Sequence, residues 1–343
     1  MDKDLKNKTP DELEDIVENF GQEKYLAQYI FTFIHVKDAG EISNITPLSK
    51  TFRAHLAGQG YYISHLNTVR TFSDPDRTVK YLFELDDGQR IETVLLQDGK
   101  RKTLCVSTQA GCSMSCAFCA TAKLGFGRNL TTAEITDQIN VIRKDRGKIN
   151  NVVYMGMGEP LQNYCAVIKS VRILNHPQGK HIGLRHLTIS TCGIADGIRK
   201  LADEDIHPRL AISLNAPTDA LRSKIMPINK KYPLPVLMEA VKYYQRKTQQ
   251  RVTFEYVLIK DFNDSALHAR MLSKLAHKVK CNVNLIEYNP YGPGSFEASG
   301  RETIKRFVRI LEEAGIETTI RYKKGRKIKA ACGQLGADML REL

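Results

Sequence analysis

The sequence has no tryptophan and no apolar run long enough to cross a bilayer, and its first thirty residues do not show the pattern of a secretory leader. Its most apolar short stretch, "YIFTFI" at residues 29–34, is far shorter than a membrane span. We therefore expect a cytoplasmic protein that is not attached to a membrane. Cysteine is also scarce, with 8 in 343 residues. In a reducing compartment, cysteines serve as metal ligands or catalysts more often than as disulfide staples.

Acidic residues are too few to balance the basic ones. The chain has 51 Lys and Arg against 38 Asp and Glu, a net charge of +13. The first twenty residues are acidic, whereas basic clusters lie at 143–148, 222–231 and 321–329. This surplus indicates a polyanionic partner, of which nucleic acid is the commonest. A solvated basic surface accounts for the charge alone equally well.

The N-terminal part of the chain has the pattern of helices followed by a hairpin. Residues 1–80 are predicted to be mainly helical, beginning with a helix that has Thr9 as its N-cap and Pro10 at its first position. Residues 81–97 predict a β-hairpin extension whose turn is Asp86-Asp87-Gly88. We expect the helical part to form a small accessory domain.

The rest of the chain repeats strand, loop and helix from about residue 102. We assign residues 98–335 to one core and 336–343 to a C-terminal tail. Six such units predict an α/β fold with a parallel sheet curled into a barrel or partial barrel. In such folds the chemistry lies at the C-terminal ends of the strands. The predicted strands are 103–108, 151–155, 186–191, 209–214, 252–259 and 283–288.

Three of the cysteines, Cys112, Cys116 and Cys119, lie in one short loop with the spacing C-x3-C-x2-C. A structural zinc site needs four ligands, but the loop has no histidine and the chain has no second C-x2-C pair. Three thiolates that hold a [4Fe–4S] cluster leave one iron open to a small chelating molecule. The pattern favours the cluster, and a zinc-dependent RNA-binding module or an iron–sulfur electron carrier stays an alternative.

This spacing after a first barrel strand resembles the radical S-adenosylmethionine (SAM) superfamily. The order of the other motifs narrows the match, because together they resemble the RlmN/Cfr family of radical SAM adenosine methyltransferases from about Glu92 to Leu335. The resemblance implies a partial (β/α)6 barrel with a helical accessory domain that docks RNA. The motifs are "GFGRNLT" (125–131), "MGMGEP" (155–160), "STCG" (190–193), "SLNAP" (213–217), "MPINKKY" (226–232), "EYNPYG" (287–292) and "AACGQL" (330–335).

The resemblance also implies the cofactors and the residues that hold them. One [4Fe–4S] cluster per chain is expected on the three loop cysteines, with SAM on its open iron. Asn215 stands where the family usually has histidine, so this contact differs from its relatives. The expected SAM contacts are Gly158, Glu159, Ser190, Ser213, Leu214, Asn215 and Asn289.

Two further cysteines and a glutamate gain a role only through this resemblance. On their own, Cys105 and Cys332 fit small buried apolar side chains, and Glu92 fits a surface charge. The resemblance implies that Cys332 carries a methyl group taken from a first SAM, and that a radical from a second SAM activates this group for addition to adenine. Glu92 is then the proton acceptor, and Cys105 attacks Cys332 to release the RNA with formation of a disulfide. Three cysteines are expected to be structural: Cys165, Cys192 and Cys281.

The implied substrate is an adenosine that has left its base stack. Relatives methylate C2 of adenosine 2503 in 23S rRNA and of adenosine 37 in the tRNA anticodon loop. A low-potential electron donor such as flavodoxin or ferredoxin is the expected protein partner, and the enzyme is expected to be a monomer. The C8-methylating branch of the family is the alternative activity.

Overall fold

The structure of the protein is a computed structural model, and residues 2–292, 294–321 and 324–341 are described below. The N-terminal part contains three helices, α1 (Pro10–Asn19), α2 (Tyr25–His35) and α3 (Lys50–Gly58). Thr9 caps α1, because its side chain accepts a hydrogen bond from the backbone of Glu12 and the Glu12 side chain accepts one in return. The predicted first helix is therefore confirmed.

The strands of the described residues form a ten-stranded sheet and a separate two-stranded ribbon. The order of the large sheet is β1-β2-β3-β4-β7-β8-β9-β10-β11-β12, and β5 pairs with β6 in the ribbon. In chain order the strands are β1 (Asn67–Ser73), β2 (Val79–Glu84), β3 (Arg90–Asp98), β4 (Arg101–Cys105), β5 (Gln109–Gly111), β6 (Phe126–Asn129), β7 (Asn151–Tyr154), β8 (Leu187–Thr191), β9 (Arg209–Ser213), β10 (Val252–Leu258), β11 (Cys281–Glu287) and β12 (Thr318–Arg321).

Strands β4 and β7 to β12 are parallel, and a helix or a pair of helices connects each to the next. These six crossovers confirm the predicted βα units. The connecting helices are α4 (Thr132–Arg146), α5 (Tyr164–Asn175), α6 (Ala195–Ala202), α7 (Asp219–Ile225), α8 (Leu234–Thr248), α9 (Ala266–Ala276) and α10 (Arg301–Glu313). Short 3-10 turns lie at Leu5–Asn7, Ile42–Asn44, Thr121–Leu124, Pro160–Gln162, Leu184–His186, Pro227–Lys230 and Met339–Arg341.

The sheet curves into an open barrel. One cavity is lined by side chains from all seven parallel strands, which requires the sheet to bend around it: Thr103, Val153, Thr188, Ala211, Thr253, Asn284 and Thr319. The barrel is partial, because the strand order has two free ends, β1 and β12. The antiparallel strands β1 to β3 extend the sheet ahead of β4, and β2 and β3 form the predicted hairpin.

Three strand predictions need correction. The first core strand was predicted at 103–108, but β4 spans Arg101–Cys105, and the chain leaves the ladder after Val106 to enter the ribbon. Strand β1 lies within the region predicted to be mainly helical. Strand β12 was not predicted, because it has only four residues and lies at the edge of the sheet.

Buried polar contacts fasten the N-terminal helices to the core. The side chains of Lys6 and Asp137 form an ion pair of 2.6 Å between Nζ and Oδ1, with both groups almost wholly shielded from solvent. The side chain of Asn7 accepts a hydrogen bond from the backbone of Ala133. Ile173 of α5 completes the apolar cluster of the N-terminal helices. In the described ranges, no helix has the length and apolar character needed to cross a membrane.

Candidate active site

Two connected cavities lie inside the curved sheet. The upper cavity, of about 160 Å³, lies at the C-terminal ends of the parallel strands, and the lower cavity, of about 670 Å³, extends toward their N-terminal ends. Because side chains alternate along a strand, every second residue of a strand faces inward, and these inward-facing residues extend from the lower to the upper cavity. The residues that border both cavities are Met155, Glu255, Ile286, Arg321 and Cys332.

The predicted cluster loop forms part of the wall of the upper cavity. Cys112, Cys116 and Cys119 all line it. The loop begins directly after β5, where the backbone N–H of Cys112 donates to the carbonyl of Gly125 over 2.7 Å. Gly111 precedes it with φ +74°, and a Cβ there would lie 2.0 Å from the Gly125 oxygen, so only glycine fits.

The loop thiols share one environment. Burial raises the pKa of Cys112 to about 12, against a hydrogen bond from the Met114 backbone that lowers it. Burial and the charges of Cys119 and Cys112 also raise the pKa of Cys116. Bound iron would reverse this effect, because a metal cation stabilises the thiolate form of its ligands.

The donor set fits a cluster better than a single metal ion. In a [4Fe–4S] cluster each thiolate binds a different iron, whereas zinc needs four donors around one ion. Within the described ranges, no group of three or more His, Cys, Asp or Glu side chains is placed to hold one metal ion. The cysteine loop instead lies along a cavity wall, with open space beside it.

Next to the loop, the backbone of the glycine-rich segment lies in close contact with the chain between β4 and β5. A Cβ on Gly156 would lie 2.6 Å from the carbonyl oxygen of Val106. Gly158 has φ +96°, and a Cβ there would lie 2.5 Å from the Cβ of Gln109. Both glycines line the upper cavity, so larger residues at these positions would displace its wall.

Glu159 is held rigidly at the same wall. One of its carboxylate oxygens accepts from the backbone N–H of Cys192 over 2.7 Å, and the other accepts from that of Leu161 over 3.0 Å. Burial raises the pKa of Glu159, while these hydrogen bonds oppose the shift. Cys192, expected to be structural, therefore also lines the upper cavity beside Cys116.

The other expected SAM contacts divide by position. Ser190, Ser213 and Asn215 line the upper cavity together with Gly158 and Glu159. The Leu214 side chain lies in the main hydrophobic core, because adjacent residues of a strand end face opposite sides. Asn289 is only 4% exposed and lines the lower cavity, where its Oδ1 has no hydrogen-bond partner among the described residues.

The structure shows how the chain accommodates asparagine at position 215, where the family usually has histidine. Its φ is +58°, in the left-handed region that asparagine tolerates better than most residues. Its Oδ1 accepts from the backbone of Val257 over 2.9 Å, and its carbonyl accepts from the side chain of Asn263 over 2.8 Å. Asn215 therefore joins β9 to β10 as well as lining the cavity.

The loop that carries Cys332 docks on the cluster loop. The backbone N–H of Ala120 donates to the carbonyl of Gly333 over 2.8 Å, and the Thr121 hydroxyl donates to the carbonyl of Leu335 over 2.7 Å. These contacts place Cys332 at the junction of the two cavities. The Cys332 side chain is exposed and lines both cavities.

Cys105 lies near Cys332 although the two are far apart in the sequence. It lies on the same face of β4 as Arg101 and Thr103, which line the lower cavity. Burial, and secondly the charge of Cys332, raises the pKa of Cys105 to about 12, which Arg321 opposes. Burial also raises the pKa of Cys332, and Arg321 opposes that shift too.

Glu92 lies outside both cavities and is fully engaged. Its Oε1 is 2.8 Å from Nζ of Lys80, and its Oε2 accepts from the backbone N–H of Gly336 over 2.8 Å. Burial raises the pKa of Glu92, and the charge of Lys80 opposes this shift. Lys80 in turn contacts Asp338 over 2.9 Å. Glu92 thus connects β3 to the segment that follows Cys332.

Sequence reasoning missed Glu255 and assigned two arginines to the surface. Glu255 is buried on β10 and lies 4.0 Å from Arg321. An acid in the middle of an apolar strand was the signal for it. Arg222, expected in a basic surface cluster, is fully buried and donates to the carbonyls of Leu214 and Cys192. Arg321, from another such cluster, borders both cavities.

The whole chain is similar to one group of known proteins. Residues 106–272 match the radical SAM superfamily. The chain is 45% identical to "Probable dual-specificity RNA methyltransferase RlmN" of Thermoanaerobacter sp. (strain X514) over 338 residues, 98% of this chain and 99% of that protein. It is 47% identical to the protein of the same name from Thermotoga maritima over 335 residues, 97% of each. A crystal structure of a radical SAM methyltransferase from Sphaerobacter thermophilus matches with a TM-score of 0.92 and 42% identity, covering 98% of this chain and 100% of that chain.

Proposed function

The chain belongs to the RlmN family of the radical SAM superfamily, and on that basis we propose that it methylates C2 of adenosine in RNA. The proposed targets are adenosine 2503 of 23S rRNA and adenosine 37 of tRNA. One observation carries the proposal: the loop of Cys332 is docked on the three-cysteine loop, and Cys332 faces the cavity that this loop lines. A methyl-carrying thiol and a radical-generating centre need this proximity.

We assign one [4Fe–4S] cluster to Cys112, Cys116 and Cys119, with SAM in the upper cavity. When bound, the cluster supplies the electron that cleaves SAM. Gly156 and Gly158 line the same cavity, and a Cβ at either position would clash with the segment between Val106 and Gln109. Ser190, Ser213 and Glu159 offer hydrogen-bonding groups at the strand ends, where a small polar ligand is expected.

Cys332 is assigned as the methyl carrier. C2 of adenine is electron-poor, so simple transfer of a methyl cation has no nucleophile on the base. A thiolate accepts a methyl group readily by displacement. The Arg321 guanidinium supports this assignment, because its positive charge favours the thiolate form against the cost of burial.

Cys105 is assigned as the resolving cysteine. Its thiolate would attack Cys332 sulfur, forming the disulfide while the methylated adenosine leaves. Proximity supports the assignment, because burial and then the charge of Cys332 raise the pKa of Cys105, and Arg321 interacts with both cysteines. Once formed, the disulfide must be reduced before a further turnover.

Glu92 is proposed as the proton acceptor, with a condition that its contacts impose. Both of its oxygens are engaged, by Lys80 and by the backbone of Gly336. Proton acceptance therefore requires the segment after Cys332 to shift when RNA is bound. In the arrangement described here, Glu92 positions that segment.

RNA is proposed to dock through the basic surface and the N-terminal helices. Lys144 and Arg146 are exposed in the last turn of α4, and Lys148 is exposed just after it. On α2, Tyr25 is 61% exposed and contacts Tyr29 edge-on, an aromatic pair of the kind on which unstacked bases pack. The target adenosine must leave its stack to reach Cys332. A low-potential electron donor such as flavodoxin or ferredoxin is the proposed protein partner.

The test is the position of the methyl group. The chain is expressed in bacteria that lack 2-methyladenosine in their RNA, and nucleosides from purified 23S rRNA and tRNA are identified by mass spectrometry. We expect 2-methyladenosine in both RNA classes, and none from the Cys332→Ser variant. 8-Methyladenosine in the rRNA would contradict the proposed C2 activity, and no methylation by the wild-type enzyme would contradict the proposal as a whole.

A further inference from the structure

The lower cavity is a second route to Cys332 that the proposed methyl transfer does not use. It has a volume of about 670 Å³ and extends toward the N-terminal side of the sheet, whereas Gly158, Glu159, Ser190, Ser213 and Asn215 line the upper cavity. Its mouth is formed by exposed residues at the beginnings of strands, among them Arg101 and Arg209. Its inner end is Cys332, beside Arg321.

The charge of this cavity selects for an anion. Among the described residues, its lining has four basic side chains, Arg101, Arg209, Arg321 and Lys324, and two acidic ones, Asp98 and Glu255. Lys324 pairs with Asp98 over 3.4 Å, and Arg321 lies 4.0 Å from Glu255. Arg101 and Arg209 have no acidic partner among the described residues, so the mouth carries two unneutralised guanidinium groups.

The interior also has polar groups without partners. Glu255 Oε2 is buried and accepts no hydrogen bond within the described residues, and the same holds for Oδ1 of Asn289, which is an expected SAM contact. Buried polar atoms of this kind are normally satisfied by water or by a ligand. The cavity therefore offers basic groups at its mouth and acceptors near its inner end.

We propose that the lower cavity binds a small thiol that bears a carboxylate, and that this thiol reduces the Cys105–Cys332 disulfide. The inference rests on the proposed function, from which it takes the disulfide. The carboxylate would bind Arg101 and Arg209 during entry, and a donor group such as an ammonium would satisfy Glu255. The reductant thus arrives from the side opposite the SAM site.

The exchange balances with two equivalents of thiol. The first, as its thiolate, attacks Cys332 sulfur, which lines the cavity, and Cys105 leaves as a thiolate that takes up a proton. The second thiol attacks the outer sulfur of the mixed disulfide and releases Cys332. Two thiols are oxidised to one external disulfide, and both protein cysteines are reduced. Arg321, between the two cysteines, favours each departing thiolate.

The experiment compares three small thiols on the full-length holoenzyme after one turnover with RNA. Peptide mass spectrometry first establishes that the Cys105–Cys332 disulfide has formed. Its reduction is then followed with 3-mercaptopropionate, 2-mercaptoethanol and cysteamine, which are anionic, neutral and cationic. Rates are taken per thiolate and compared between protein variants for each thiol, so the intrinsic reactivity of the thiols cancels.

The test variant is Arg101→Gln/Arg209→Gln, and the control is Arg199→Gln/Arg270→Gln, which removes the same charge from α6 and α9. Both positions of the test variant are exposed, so folding is not at risk. We expect the disulfide of the test variant to be reduced about tenfold more slowly than that of wild type by 3-mercaptopropionate. With 2-mercaptoethanol the rate should differ from wild type by less than about twofold. The control variant should match wild type with all three thiols.

The inference would be overturned if the two substitutions changed the reduction rate equally for all three thiols, or did not change it for any of them. It would also be overturned if added RNA protected the disulfide from the thiols, because the cavity would then be an entrance for RNA. Failure of the proposed function is distinguishable, because no disulfide would then appear before any thiol is added. In that case access is measured in the Cys105→Ala variant, as the rate at which the disulfide of 3-mercaptopropionate modifies Cys332. The same arginine dependence is expected there, and its absence would overturn the inference.

Discussion

Lys80 and Glu92 form an ion pair of 2.8 Å between Nζ and Oε1, and their side chains are 0% and 1% exposed. The pair lies on the neighbouring strands β2 and β3, where the two residues are close in the antiparallel register. Lys80 also binds Asp338, and Glu92 binds the backbone of Gly336. The hairpin therefore holds the segment that follows Cys332.

Breaking this pair should destabilise the protein strongly. Lys80→Met leaves the Glu92 carboxylate buried without a counter-charge, which costs about 4 kcal/mol in the free energy of unfolding. Urea unfolding measures this cost. The control Lys305→Met removes a largely exposed pair with Glu302 and should change the free energy by less than about 0.5 kcal/mol.

The double variant Lys80→Met/Glu92→Met should regain most of the lost stability, because no unpaired charge then stays buried. If Lys80→Met alone unfolds at the wild-type urea concentration, the pair does not hold the Cys332 segment.

The glycine segment should tolerate no side chain. Gly158→Ala combines φ +96° with a Cβ that would lie 2.5 Å from Gln109, so the cavity wall must move. We expect at least about tenfold weaker binding of SAM to the cluster-loaded protein, a loss of 1.4 kcal/mol or more. Equilibrium dialysis measures the affinity.

Gly99→Ala is the matched control. Gly99 also has a positive φ, +54°, but a Cβ there would meet no atom within 4 Å. It should share the backbone strain without loss of SAM affinity. Equal losses in both variants would show that strain, and not the cavity wall, sets the affinity.

Buried His35 predicts a fall in stability at mildly acidic pH. Burial, and secondly the charges of Lys180 and Lys6, lowers the pKa of His35 well below its usual value. Below about pH 6.5 the unfolded chain therefore takes up a proton that the folded protein does not, and stability falls by as much as about 1.4 kcal/mol per pH unit.

The measurement is the free energy of unfolding between pH 7 and pH 5 in wild type and in His35→Leu. The variant should lose this part of the slope, whereas His277→Gln, at an exposed position, should keep it. A wild-type slope in His35→Leu would contradict the assignment of the slope to His35.

Each cysteine of the loop should be needed for iron. Alanine at Cys112, Cys116 or Cys119 removes one of the three thiolates proposed for the cluster, so anaerobic preparations should lose most of their iron and their brown colour. Iron is measured per chain, together with the visible absorption spectrum. The control is Cys165→Ala, an exposed residue of α5 outside both cavities, which should keep its iron.

The sequence was most informative where a function depends on neighbouring residues. Cys112, Cys116 and Cys119 lie within eight residues of one another in the sequence. The glycines of 155–160 predict a close approach between two backbone segments, and the structure has this approach. Alternation along a strand is also readable from the sequence, and it separates Leu214, whose side chain packs in the core, from Ser213 and Asn215, which face the cavity.

Long-range contacts were beyond the sequence. Nothing near Lys80 or Glu92 indicates that they contact a segment more than 240 residues later. Arg222 belongs to a basic run and yet is buried, because four backbone and side-chain oxygens accept its hydrogen bonds. The position of Cys105 near Cys332 likewise depends on how the C-terminal segment packs, and only the family resemblance suggested it.

The central claim is that Cys332 carries the methyl group to RNA and that Cys105 releases the product. The most direct measurement is mass spectrometry of the Cys105→Ala variant after incubation with SAM, a reductant and an RNA fragment containing the target adenosine. The account predicts a covalent RNA adduct on the peptide that contains Cys332, and no adduct in the Cys105→Ala/Cys332→Ala control. Normal turnover by Cys105→Ala with free methylated RNA, or an adduct on another residue, would contradict it.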